Sequence, residues 1–246
     1  MDGLLYVAMN GAKHSLYQQA VTTHNLANVS TNGYKAQNGV FRALPAFGPG
    51  APTRTFVVDS TPTADLSGGV IRTTGRPLDV AVHGPGWIAV QDARGAEAYT
   101  RNGSFEVSPE GLLVTSNGLM VAGDGGPITI PTDSEVTIGK DGSVTVLTNN
   151  QYNAMTTIGR IKLVNPADAD MVRGDDGLFR LKSGQPAAPD ANVVLAGGAL
   201  ESSNVSAVDA LISIIDQSRF FDMQVKLMQK ADENANRAAQ VMNLAA

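Results

Sequence analysis

The side chains able to do chemistry are few and scattered. There are three histidines, His14, His24 and His83. Between His14 and His24, ten helical steps of ~100° fall about 80° short of a whole number of turns, so the two rings do not converge as i, i+4 metal ligands do. His83 precedes Gly84-Pro85-Gly86 with no serine and aspartate spaced around it for a nucleophilic triad. Nothing in the spacing of Glu97, Glu106, Glu110 and Glu135 singles out the facing pair that sugar hydrolysis requires. Asp168, Asp170, Asp175 and Asp176 lack the Asp-x-Asx-x-Asx-Gly order of a calcium loop and read as a solvated turn. Gly123-Asp124-Gly125-Gly126 has no Gly-Lys-Ser/Thr after it, so it reads as a tight turn before a strand rather than a phosphate cradle. Trp87 sits inside Gly86-Trp87-Ile88-Ala89-Val90, where a core aromatic outweighs a sugar-stacking platform. With no cysteine, disulfides, thiolate metal sites and thiol nucleophiles are excluded. No catalytic residue, no cofactor and no metal are expected, and the chain is not expected to be an enzyme.

Composition narrows the classes further. The net charge of −5 opposes nucleic-acid binding, which needs clustered Lys and Arg. The apolar runs are far shorter than the ~20 residues that span a bilayer, so no membrane insertion is expected. Met1-Asp2-Gly3-Leu4-Leu5-Tyr6 has neither a basic n-region nor a long apolar h-region, and no secretory signal peptide is expected. Only 17% of residues are charged, against roughly 25% in ordinary soluble chains. Such surfaces suit later burial.

Two helices frame the chain. Leu5, Met9, Ala12, Leu16 and Ala20 recur at spacings of three and four, with Leu26 near the end. Asn28-Val29-Ser30-Thr31-Asn32-Gly33 then reads as a helix stop and turn. Gly33 marks a position of positive φ, so Gly33→Ala is expected to misdirect the chain. At the other end, positions 201 to 246 contain no Gly or Pro. There Leu211, Ile214, Phe221, Val225, Met228, Ala235 and Met242 follow a heptad, and Ser203-Asn204 or Ser206 stands ready to cap the helix. Between the helices, short β-prone runs are bounded by turns, as at Pro77–Val82, Trp87–Gln91, Ser143–Leu147 and Thr157–Val164. Lys140-Asp141-Gly142-Ser143 reads as a hairpin with a two-residue Asp-Gly turn. The expected fold is α+β: long N- and C-terminal helices forming a coiled-coil-like core, with a central, mostly antiparallel β domain. The expected divisions are 1–35, core helix and signature turn; 36–67, linker or extended segment; 68–200, β domain; 201–246, core helix. A seam mixing Ser, Asp and Ala with larger residues buries little, so the helices are expected to be marginal in a monomer and firm against neighbours.

The stretch Asn25-Leu26-Ala27-Asn28-Val29-Ser30-Thr31-Asn32-Gly33-Tyr34-Lys35 resembles the N-terminal signature of the bacterial flagellar rod and hook proteins. Leu200-Glu201-Ser202-Ser203-Asn204-Val205, followed by a helix containing Arg219-Phe220-Phe221, is similar to that family's C-terminal motif. Gly75-Arg76-Pro77-Leu78-Asp79-Val80, Gly84-Pro85-Gly86-Trp87-Ile88 and Tyr99-Thr100-Arg101-Asn102-Gly103 resemble its β domain. Gly125-Gly126-Pro127-Ile128-Thr129-Ile130-Pro131 and Phe221-Asp222-Met223-Gln224-Val225 look most like a proximal-rod member. The resemblance implies a structural subunit of the proximal rod, the drive shaft that transmits torque and encloses the export channel. It further implies delivery by the flagellar type III export apparatus and a location in the periplasmic part of the basal body. Its partners would be other proximal-rod subunits and the distal-rod protein. The helical stripes become the assembly interface, and Asn25, Asn28, Thr31, Gly33 and Tyr34 the signature turn. A distal-rod subunit is the near alternative; a peptidoglycan-acting enzyme or a β-domain adhesin using Trp87 are the distant ones.

Overall fold

The computed structural model describes residues 4–45, 55–59, 63–131, 134–148 and 155–244. The chain divides into two compact units: Met1–Ala27, Gln37–Asp65 and Val205–Ala246 form one, and Asn28–Ala36 with Leu66–Asn204 the other.

In the first unit, α1 spans Leu4–Ala27 and α2 spans Ala207–Leu244. The Ser206 hydroxyl accepts the Asp209 N–H at 3.3 Å and so caps α2; the carboxylate of Asp209 in the first turn suits the helix dipole. Strand pairing carries the chain past Glu201 before this helix begins, so the C-terminal helix starts later than the Gly/Pro-free stretch suggests. The two helices pack side by side and antiparallel: Ser15 Oγ donates to the Gln217 carbonyl at 2.6 Å, Gln217 Nε2 donates to Thr22 Oγ1 at 3.0 Å, and Gln224 lies against Gly11. The side chains buried on α1 are Ala8, Ala12, His14 and Ser15. On α2, Ala210 is buried, and Ile214, Gln217, Phe221, Gln224, Val225, Met228 and Ala231 are half-buried at steps of three and four.

The segment expected as a linker or extended segment holds four short strands among the described residues. Strand β1 (Gln37–Asn38) pairs with β4 (Thr63–Ala64), and β2 (Phe41–Pro45) pairs antiparallel with β3 (Thr55–Asp59) from Phe41↔Asp59 to Pro45↔Thr55. These strands use α1 as their floor. Asn10 Nδ2 donates to the Val57 carbonyl at 3.1 Å, His14 Nε2 lies 2.6 Å from the same oxygen, and Phe41 meets His14 and Tyr17 edge-on.

The second unit is antiparallel β. Its strands are β5 (Ile71–Thr73), β6 (Val80–His83), β7 (Trp87–Gln91), β8 (Glu97–Thr100), β9 (Phe105–Val107), β10 (Leu113–Thr115), β11 (Met120–Gly123), β12 (Gly126–Pro127), β13 (Ser134–Ile138), β14 (Ser143–Thr148), β15 (Met155–Arg160), β16 (Leu163–Val164), β17 (Met171–Arg173), β18 (Phe179–Leu181), β19 (Val194–Gly197) and β20 (Ala199–Glu201). The main sheet runs β17-β18-β8-β7-β11-β10-β9, with β12 and β16 attached to β11 and β7. β13-β14-β15 form a second sheet, and β19-β6 and β20-β5 are separate pairs. Strands β6 and β7 are buried over most of their length. Their runs are therefore apolar throughout instead of alternating. Val80, Ile88, Phe105, Val144, Ile161 and Leu195 anchor one core.

The turn between β13 and β14 corrects the two-residue expectation. The Gly142 N–H donates to the Gly139 carbonyl at 3.0 Å, and Gly142 has φ +84°. Lys140-Asp141 are the centre of that turn and Gly142 is the left-handed residue after it, the longer hairpin loop with a bulge. The Asp141 carboxylate accepts from the Ser143 N–H and hydroxyl, which stabilises this form over the shorter one.

Candidate functional site

The two terminal motifs, far apart in sequence, meet inside the β unit. Asn28 and Thr31 close the turn through a Thr31 N–H to Asn28 carbonyl bond of 3.2 Å and a side-chain bond of the same length. The chain then passes through Gly33 at φ +68°, whose N–H donates to the Glu201 carbonyl at 2.7 Å. A Cβ there would lie 2.3 Å from the Arg101 carbonyl carbon, so position and conformation both demand glycine. Tyr34 is buried under the Arg173 guanidinium, 4.7 Å from its ring centre, and Arg173 donates to the Lys35 carbonyl at 2.9 Å. Asn204 fastens the second motif beside it: Ala36 N–H donates to its Oδ1 at 2.8 Å, and Asn204 N–H to the Tyr34 carbonyl at 3.3 Å. In the helical unit, Asn25 works like a piece of strand, exchanging two 2.9 Å bonds with the Gln37 backbone.

At the centre lies an ion cluster outside the residues expected from the sequence. Lys35 Nζ is 2.6 Å from Glu201 Oε1, and Arg101 Nη1 is 3.0 Å from Glu201 Oε2, with all three side chains buried. Lys35 also donates to the Ser67 carbonyl at 2.6 Å, the Gly69 N–H to Glu201 at 2.9 Å, and Arg101 to the Gly84 carbonyl at 3.0 Å. Arg101 covers Trp87, whose ring is 4.5 Å from that of Phe179. Trp87 is therefore core, 2% exposed, and cannot serve an adhesin as a sugar platform. Both partners belong to the terminal motifs, one of which ends in Lys35 while the other carries Glu201.

The carboxylates considered for chemistry have structural partners or stand apart. Glu97 holds Lys162 at 2.8 Å and accepts from the Tyr99 hydroxyl. Burial and that neighbouring carboxylate push the Tyr99 hydroxyl up to about 12. Glu106 and Glu135 belong to strands of different sheets. Asp176 pairs with Arg180, and among the described residues no group of His, Asp and Glu is arranged to hold a metal. No described helix is long and apolar enough to cross a membrane.

The helical residues expected as an interface divide between two faces. Ala12 is buried against α2, while Ile214, Phe221, Val225 and Met228 lie half-buried along the pair. Leu26 is also half-buried; Leu5, Met9, Leu16, Ala20, Leu211 and Ala235 are exposed, and Met242 lies outside the residues whose side chains are described. Sequence periodicity merged these faces into one stripe. The outward apolar set is larger than the stripe suggested: Val208, Ile212, Ile215, Phe220, Met223 and Leu227 on α2 and Tyr6 on α1 are all exposed. On a 100° wheel, Val208, Ile212, Ile215 and Met223 lie opposite Ala210, Gln217 and Phe221, with Phe220 and Leu227 on the flank between. Both sides of this helix are apolar, and α1 covers one.

Comparison with known proteins agrees with this architecture. Residues 5–35 match the family described as flagella basal body rod protein, 81–146 the flagellar hook protein FlgE/F/G D1 domain, and 196–241 the flagellar basal body rod FlgEFG protein C-terminal family. The flagellar basal-body rod protein FlgF of Escherichia coli is 45% identical over 99% of this chain and 100% of its own length. That of Caulobacter vibrioides is 34% identical over 98% of each. A flagellar basal-body rod protein FlgG, from Buchnera aphidicola, is 29% identical over 96% of this chain and 98% of its own. The chain belongs to the flagellar basal-body rod protein family, and its role is that of a structural rod subunit, not an enzyme.

Proposed function

We propose that the chain is a proximal-rod subunit that polymerises through its terminal helices, in coiled-coil-like packing with neighbours, into the shaft that transmits torque and encloses the export channel. The observation that carries this is the second apolar face of the helical pair. Val208, Leu211, Ile212, Ile215 and Met223 on α2, with Leu5, Tyr6, Met9 and Leu16 on α1, are exposed. Burial of each such side chain is worth ~1.5–3 kcal/mol. Association costs ~4–15 kcal/mol, so a pairwise contact that buries only two or three of them is weak. A lattice site with several neighbours is stable. Contacts between different patches that do not close into a ring generate a helix, the form a shaft requires. Its neighbours would be other proximal-rod subunits and the distal-rod protein, it would be delivered by the flagellar type III export apparatus, and it would lie in the periplasmic rod. The 45% and 34% identities to FlgF of Escherichia coli and Caulobacter vibrioides, each over nearly the whole chain, favour the proximal over the distal reading.

The test is complementation of a strain lacking this chain with Leu211→Asp/Ile215→Asp. We expect lost motility and truncated rods in isolated basal bodies, with the β unit of the purified variant intact. Full-length rods and normal swimming on this variant would overturn the proposal.

A further inference from the structure

The helix α2 has 38 residues and α1 has 24, so α2 is ~21 Å longer at 1.5 Å per residue. Counting back from Gly11, which lies beside Gln224, puts Leu4 level with Ala231. Ala231 is also the last residue of α2 described as half-buried; Asp232 to Gln240 are exposed. The face that α1 covers continues beyond that point as Ala235 and Ala239, in line with Gln217, Phe221 and Met228 on a 100° wheel. A short helical end without a partner is marginal in water, and an alanine face lets another backbone approach closely.

The same unit contains a groove suited to that end. Between α1 and β3 lies an open cavity of about 620 Å³, walled by Tyr6, Met9, Asn10, Lys13, Val57 and Val58. Its walls are mainly apolar, with Tyr6 and Met9 more than half exposed. Lys13 is the only Lys, Arg, Asp or Glu in α1. The α2 extension begins with Asp232, which the wheel places at the edge of the alanine face.

We propose that this groove receives the α2 extension of a second copy of the chain, with Ala235 and Ala239 against Tyr6, Met9 and Val58, and Asp232 opposite Lys13. Groove and extension are different surfaces, so the contact is head-to-tail and leaves one of each free on the growing assembly. The proposal rests on the reading of the helices as an assembly surface and adds which parts meet.

The chain has no cysteine, so disulfide trapping has no background. Full-length Met9→Cys chain is mixed with a mass-tagged Ala235→Cys chain at high concentration under mild oxidation. We expect the mixed disulfide to exceed both symmetric ones several-fold. Lys13→Glu in the first chain should reduce its yield about tenfold, and Asp232→Lys in the second should restore it. Equal amounts of the three disulfides, or no self-association at any concentration, would overturn the docking. So would a disulfide from the Met9→Cys chain to a different rod protein in isolated basal bodies, which would assign the groove to that partner. Loss of rods on the Leu211→Asp/Ile215→Asp chain combined with no mixed disulfide would leave the assembly reading standing and remove this contact alone.

Discussion

Lys35, Arg101 and Glu201 show how one residue can hold two ends of a chain together. Glu201 lies between two buried cations, so Glu201→Gln leaves both without a counter-charge. Breaking such a pair costs ~3–5 kcal/mol, to be read as a lower urea midpoint for the β unit. Adding Lys35→Met to Glu201→Gln should recover part of that loss, and the non-additivity measures the coupling. Unchanged stability in Glu201→Gln would mean the cluster contributes nothing. Gly33→Ala makes a second contrast. At Gly118, φ is +78° but a Cβ meets nothing within 4 Å, so Gly118→Ala should cost only the ~1–2 kcal/mol of the left-handed conformation. Gly33→Ala must also displace the Arg101 backbone and should cost clearly more. A third expectation concerns acid. The Arg180 guanidinium, hydrogen-bonded to both, holds Asp92 and Asp176 below the usual carboxylate range, helped at Asp92 by the Ala96 and Arg94 N–H groups. The unfolded chain therefore takes up these protons first, near pH ~4. The stability from these carboxylates is present in full above that pH and is lost as pH falls through their lower folded values. Arg180→Gln should flatten this part of a stability-against-pH curve; an identical curve would refute the assignment.

At the scale of the helix, the important distinction is which apolar face each side chain joins. Ile214 and Phe221 pack along the pair within the chain, whereas Leu211 and Ile215 point away. Phe221→Ala should therefore lower the thermal stability of the helical unit in monomer. Leu211→Asp/Ile215→Asp should cost the monomer only ~1 kcal/mol, from helix propensity and the like charges at i, i+4, while preventing assembly, a separation visible by calorimetry beside motility assays. The heptad of α2 was legible because apolar residues recur on it without a glycine or proline. The division into two faces was not, since a 3.5-residue period in a helix apolar on both sides fits either. The strands at Trp87–Gln91 and Ser143–Thr148 were legible from β-branched runs between turns. The Asp141-Gly142 loop was misread by length because the Ser143 bonds that select the longer form are local side-chain contacts, invisible to periodicity. The signature turn was found as a motif, but its reason was not. Lys35 and Glu201 are 166 positions apart, and no local rule pairs a lysine after a turn with a glutamate at the end of a strand.

The whole molecule joins two units of unlike cohesion. The β unit has a core of fully buried Val, Ile, Leu and Phe side chains and the ion cluster. The helical unit relies on an alanine-lined seam whose larger residues are only half-buried. Two-state unfolding is therefore not expected. The single tryptophan, Trp87, lies buried in the β unit, so its fluorescence reports that unit. Far-ultraviolet circular dichroism reports chiefly α1 and α2. In dilute monomer, urea should remove the helical signal well before it shifts the Trp87 emission. Raising the protein concentration should move the helical transition upward through mass action and leave the tryptophan transition where it was. Lys13→Glu should abolish the upward movement without changing the dilute midpoint, because Lys13 serves the contact between copies and not the fold of one. Coincident transitions at all concentrations would mean that the helices are as firmly held in one chain as the β core is. The idea of chain ends completed by their neighbours would then fail.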